Sequence, residues 1–104
     1  MNVLIIKLGA MGDVIRTTAI LPGLKEKYNN CSIDWITKKA SFDILKNNDL
    51  IENVHLIGKN TENSLNKEYD LIINLDDDDE ACNLAAGIKH KEIIGAYSED
   101  GKNL

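Results

Sequence analysis

Apolar residues in this chain fall into two patterns that alternate along its length. Val3-Leu4-Ile5-Ile6 is an unbroken, β-branched-rich run that gives out at Lys7-Leu8-Gly9. Such a run predicts a strand buried on both faces, as in a parallel sheet. Gly9-Ala10-Met11-Gly12 reads as a turn, and Asp13 opens a different pattern. There Val14, Thr17, Leu21, Leu24 and Tyr28 recur three or four positions apart, which predicts a helix with one face on a sheet. Pro22 lacks a backbone donor and crowds the preceding turn, so this helix is expected to kink or restart there. Asn29-Asn30 closes it.

The alternation continues. Ser32 to Thr37 reads as a second strand, followed by a helix from Lys39 to Lys46 with Ala40, Ile44 and Leu45 on its apolar side. Asn53 to Ile57 is a third strand, closed by Gly58, and the polar stretch Lys59 to Lys67 is a loop or one weak helical turn. Asp70 to Leu75 is a second strongly apolar strand. From Asp78 to Lys89, the residues Ala81, Leu84, Ala85 and Ile88 keep helical spacing. Asp77, three residues before Glu80, resembles a capping box with Asp in place of Ser or Thr. Glu92 to Ala96 is a fifth strand, and a polar tail runs from Tyr97 to Leu104.

Strands that alternate with helices require right-handed crossovers and a mostly parallel sheet. The expected fold is α/β and Rossmann-like, with strand order 3-2-1-4-5. Ligands of such sheets bind at the carboxyl ends of the strands where the order reverses, here between strands 1 and 4. The loops that meet there are Gly9 to Asp13 and Asp76 to Glu80, and any chemistry belongs in them.

Composition narrows the possibilities further. A chain of 104 residues, 43% hydrophobic and 28% charged, suits one small soluble domain spanning residues 1–104. With one Trp, one Phe and three Tyr, its core must rest on aliphatic residues. A net charge of −5 with scattered basic residues argues against nucleic acid, which needs a concentrated basic face, and against electrostatic docking on anionic lipid. Cys31 and Cys82 sit in no metal-ligand spacing and read as reduced core residues, with a disulfide or metal pair as the lesser alternative. Nothing has the length of a transmembrane segment, so a cytoplasmic location is expected.

Gly9-Ala10-Met11-Gly12-Asp13 is the most informative segment. Its glycines allow a tight turn and close approach by a ligand, and the following helix presents unpaired N–H groups. The spacing is neither GxGxxG nor a P-loop. Asp13 reads either as an N-cap or as a carboxylate in the crevice, able to take a proton from a sugar hydroxyl. Lys7 is a solvated strand-end lysine or a contact for an anionic group. Arg16, one turn past Asp13, can pair with it or bind an anion. Asp76-Asp77-Asp78-Asp79-Glu80 reads as a solvated acidic run beside a helix start, and its spacing is not that of a calcium loop. His55 and His90 have no ligand-spaced partners.

The stretch from Val3 to Thr18 resembles the opening of glycosyltransferase family 9, the lipopolysaccharide heptosyltransferases. Pro22 with Leu24, Ile33 to Thr37, Tyr69 to Leu75 and Glu92 to Gly95 agree with it. The resemblance implies the amino-terminal, acceptor-side part of a GT-B enzyme, truncated before its first domain ends and inactive alone. It implies Asp13 as the general base of an inverting hexosyl or heptosyl transfer that needs no metal. Lys7, Gly9, Ala10, Met11, Gly12 and Arg16 are implied to contact a lipid-linked saccharide acceptor. A nucleotide-sugar donor such as ADP-heptose is expected on a separate carboxy-terminal domain, and the full-length enzyme is expected at the inner face of the cytoplasmic membrane. The family carries Gln-Gly and a basic residue where this chain has its acidic run, so the two differ at that rim. Two other readings stand beside it: a stand-alone Rossmann-like module for a phosphorylated small molecule, and a flavodoxin-like interaction domain with a metal at the acidic loop. Against the latter, the third strand ends in Ile57-Gly58, without the aspartate that a receiver domain carries there.

Overall fold

The computed structural model describes residues 1–9, 11–58, 68–76 and 79–95, together with the backbone of 98–99 and 102–103. Five strands form one parallel sheet: β1 (Asn2–Ile6), β2 (Ser32–Thr37), β3 (Asn53–Leu56), β4 (Tyr69–Asn74) and β5 (His90–Gly95). Their order is β3-β2-β1-β4-β5, as the alternation predicts. Two short strands, β6 (Ser98–Glu99) and β7 (Lys102–Asn103), pair antiparallel apart from this sheet. The expected loop or turn at 59–67 and the Asp77 cap lie outside the described residues.

β1 is the centre of the sheet because it can be buried on every side. Val3 lies opposite Ile33 and Leu71, and Ile5 opposite Trp35 and Ile73. Val3, Leu4, Ile5 and Ile6 are all fully buried, each contributing about 1.5–3 kcal/mol of transfer free energy. Odd-numbered β1 residues join a core with Val14, Leu21 and Leu45 from the helices on one face. Leu4 and Ile6 join Ala81, Leu84, Ala85 and Ile88 on the other. Both cysteines are buried.

The helices depart from expectation in detail. α1 (Met11–Thr17) begins two residues earlier than the apolar period suggested. Met11 and Gly12 are therefore helical rather than part of a turn, and Asp13 lies within the first turn instead of capping it. A 3-10 turn (Thr18–Ile20) then leads to α2 (Leu21–Lys27), which carries Pro22 in its first turn. There the missing N–H costs nothing, and this is the expected restart. α3 (Lys39–Lys46) buries Ser41 and Leu45. Its inner face is thus one position round from the expected one, leaving Ile44 exposed, because the i, i+4 pair Ser41/Leu45 meets the sheet. α4 spans Asp79–Gly87. β5 closes on Gly95, whose φ of +97° and contact with the backbone of Asn74 exclude any side chain.

Polar groups in the amino half of the sheet are paired. Asp34, 1% exposed, accepts hydrogen bonds from Tyr69 Oη at 2.6 Å and Asn53 Nδ2 at 3.1 Å, joining β2, β3 and β4. Burial foremost, then the Asp34 carboxylate, pushes the Tyr69 phenol well above its ordinary value. The Asn2 N–H donates to Asp70 Oδ2 at 2.7 Å. Asp70 is held below the usual carboxylate range by that bond and by Lys91.

Candidate functional site

At the carboxyl ends of the strands, β1 and β4 lead into helices on opposite faces of the sheet, and the switch point lies between Ile6 and Asn74. The backbone is carried slightly past each strand by ladder-like bonds. The Lys7 N–H donates to Ile36 O at 3.2 Å, and the Leu75 N–H to Ile6 O at 2.9 Å. Lys7 and Asp76 are thereby brought face to face.

Lys7 Nζ donates to Asp76 Oδ1 at 2.9 Å and lies 3.4 Å from Leu75 O. The other Asp76 oxygen accepts the Leu8 N–H. Asp76 is itself seated by its N–H, which donates to Asn74 Oδ1 at 3.0 Å, and Asn74 is buried. The side chains of Lys7 and Asp76 are only 17% and 11% exposed, so their pairing is far less screened than a surface pair. One carboxylate thus ties the end of β4 to the start of the β1–α1 turn. Asp76 reads in the sequence as one of a solvated acidic run and Lys7, in one of its two readings, as a solvated strand-end lysine; in the structure each is mostly buried against the other. The signal available beforehand was that both end strands flanking the switch point.

Asp13 is different. It lies in the first turn of α1, with its side chain 58% exposed. Its contact with Arg16 is a loose 4.0 Å, and Arg16 is 84% exposed, so the pair holds neither group in place. The Asp13 carbonyl accepts a hydrogen bond from Thr17 Oγ1 at 2.7 Å. Met11 is exposed beside it. Ala10 lies outside the described residues. A Cβ at Gly12 would meet nothing within 4 Å, and one at Gly9 would make only ordinary contacts, the nearest 3.6 Å away with Lys7 Nζ. The fold therefore demands glycine at neither position. Among the described residues, no group of three metal-binding side chains converges, and no helix is long and apolar enough to cross a membrane.

Neither a family model nor a curated protein sequence matches the chain. Solved structures do. E. coli heptosyltransferase WaaC with ADP superposes with a TM-score of 0.80 over 88% of this chain, at 23% identity. The fold is that of the amino-terminal part of a heptosyltransferase. A glycosyltransferase of family 9 from Veillonella parvula matches 95% of the chain with a TM-score of 0.72 at 17% identity. E. coli ADP-heptose lps heptosyltransferase II gives 0.71 over 88%, also at 17%. The chain spans about a third of these proteins, 33%, 36% and 30% of their lengths respectively. What the heptosyltransferase fold shares with this chain is the five-stranded sheet and its flanking helices.

Proposed function

We propose that this chain is the acceptor-binding side of an inverting, heptosyltransferase-like glycosyltransferase, with Asp13 as the general base. The observation that carries the reading is the contrast between two carboxylates at one crevice. Asp76 is consumed by Lys7 and the Leu8 N–H, whereas Asp13 stands exposed on the helix that leaves the switch point. A base needs open lone pairs that an attacking hydroxyl can approach, and the exposure of the Asp13 carboxylate supports that role. The glycines support it: the fold demands neither, and their lack of side chains leaves room for a sugar beside Asp13.

In the proposed reaction, Asp13 takes the proton of the acceptor hydroxyl as its oxygen attacks the anomeric carbon of a nucleotide sugar such as ADP-heptose. The leaving nucleotide departs on the opposite face. Arg16 is the cation beside the base with its charge open to a ligand, while Lys7 acts by holding the turn through Asp76. The saccharide acceptor is lipid-linked, and the donor is held by a second domain, as a GT-B arrangement requires. The test is transfer by this chain joined to its donor domain. Asp13→Asn should lower kcat by about 10²–10⁴ with little change in stability, and undiminished transfer would refute the assignment.

A further inference from the structure

The start of α3 breaks several local rules at once. Lys38 occupies the N-cap position in an extended conformation and makes no side-chain cap, and the first turn holds no acidic residue. The first N–H groups of a helix have no partner within it. Here they are accompanied by Lys38 and Lys39, both exposed, at the end where the helix dipole is already positive. Beneath them, Thr37 and Ser41 are 0% and 1% exposed, and neither hydroxyl oxygen has a hydrogen-bond partner.

Their placement is fixed by the packing. Thr37 follows Trp35 on the same face of β2, and Trp35 shares a core with Leu45 of α3. Ser41 precedes Leu45 by one helical turn and is buried with it. Both hydroxyls therefore belong to the junction where the end of β2 meets the first turn of α3, the turn whose first amides have no partner within the helix. A third unpartnered atom, Trp35 Nε1, belongs to this same face. An unsatisfied buried hydroxyl destabilises the fold, and an apolar side chain of the same shape would serve packing better. Local rules broken together, with no compensating partner, mark a place kept for something other than stability.

We propose that the start of α3 is an oxyanion subsite for a carboxylate or phosphate borne by the acceptor sugar. The amides of Lys39 and Ala40, the hydroxyls of Thr37 and Ser41 and the Lys38 ammonium supply its donors. The subsite rests on the acceptor-side reading, because α3 touches α1, whose first turn carries Asp13. An acceptor with its attacking hydroxyl at Asp13 reaches α3 with a charged substituent. The position also reconciles an anionic acceptor with the acidic rim: β2 and β4 flank β1 on opposite sides, so the anion sits away from Asp76.

The test is an amide-resolved NMR titration of this chain with glucuronate, glucose 6-phosphate and neutral glucose. Saturable shifts at Lys39, Ala40 and Ser41 are expected with the charged sugars and not with glucose, and the tighter of the two identifies carboxylate or phosphate. The double variant Thr37→Val, Ser41→Ala should gain a few degrees in Tm while losing at least tenfold in affinity. Lys38→Gln should weaken binding severalfold at unchanged Tm. Shifts confined to Gly9 through Arg16 would overturn the subsite and leave the acceptor reading standing. Shifts at α3 that persist undiminished in the double variant would overturn the role of the hydroxyls. No response from any residue to any sugar would overturn both.

Discussion

The two ends of the parallel sheet treat their polar groups in opposite ways. In the amino half, Asp34 is buried and satisfied by Tyr69 and Asn53, and Asp70 holds the first backbone amide of β1. At the carboxyl ends, α3 starts uncapped, two buried hydroxyls lack partners, and Asp13 stands open. The Lys7–Asp76 pair is the exception there, and it serves to hold the turn on which the open groups depend. A doubly wound sheet needs only one end for ligands. The other end can be closed completely, and the cross-links that close it join strands far apart in sequence.

If the amino end is the structural one, the largest loss of stability should come from Asp34. Asp34→Ala strands the Tyr69 hydroxyl and the Asn53 amide and should cost about 3 kcal/mol in urea unfolding. Replacing the whole set with apolar side chains, Asp34→Leu with Tyr69→Phe, should recover much of that loss. A cost near zero for Asp34→Ala would dissolve the contrast between the ends. The same link gives a pH signature. Because burial and Asp34 raise the Tyr69 phenol, its contribution is complete below the ordinary tyrosine value of 10.0 and declines as pH rises above it. Tyr69→Phe should remove that share of the alkaline loss.

Asp76→Ala tests the exception. It leaves the Lys7 ammonium and the Leu8 N–H without their acceptor and should cost about 1–2 kcal/mol. The expected change in amide shifts is concentrated at Leu8 and Gly9, with the amino end unmoved. A response spread evenly over the sheet would show that Asp76 is a general stabiliser and not a local tie.

Much of this molecule was legible in its sequence, and the illegible parts share a cause. The sheet order followed from the alternation of strands and helices, and the restart at Pro22 from the chemistry of the imino ring. Both are local or near-local signals. The link between Asp34 and Tyr69 was not legible, because 35 positions separate them and nothing near Asp34 distinguishes a buried aspartate from an exposed one. Asp76 was concealed differently: four aspartates in a row look alike until the fold sets one against Lys7. The start of α1 was misplaced because Met11 and Gly12 carry no inward side chain, so the apolar period did not register them. The place of Asp13 in the first turn was hidden for the same reason, since the apolar period set it at the helix boundary.

The smallest expected stability effect is at Arg16, and it is the one that sharpens the contrast most. A 4.0 Å contact between side chains 84% and 58% exposed contributes little in water, so Arg16→Ala should change unfolding free energy by less than about 0.5 kcal/mol. If the carboxyl end is the working end, the same substitution should weaken binding of a charged acceptor sugar severalfold, an effect that fades as salt is raised. The amino end offers a matched control in Lys91, which pairs with Asp70 at 3.4 Å and is itself 65% exposed. Lys91→Ala should be equally mild in unfolding and should leave sugar binding untouched. Two surface cations of similar exposure, one affecting binding and one silent, would locate function at one end of the sheet without recourse to any buried residue. Equal effects on binding from both would mean that net charge alone attracts the ligand, and the case for Arg16 as a contact would fall.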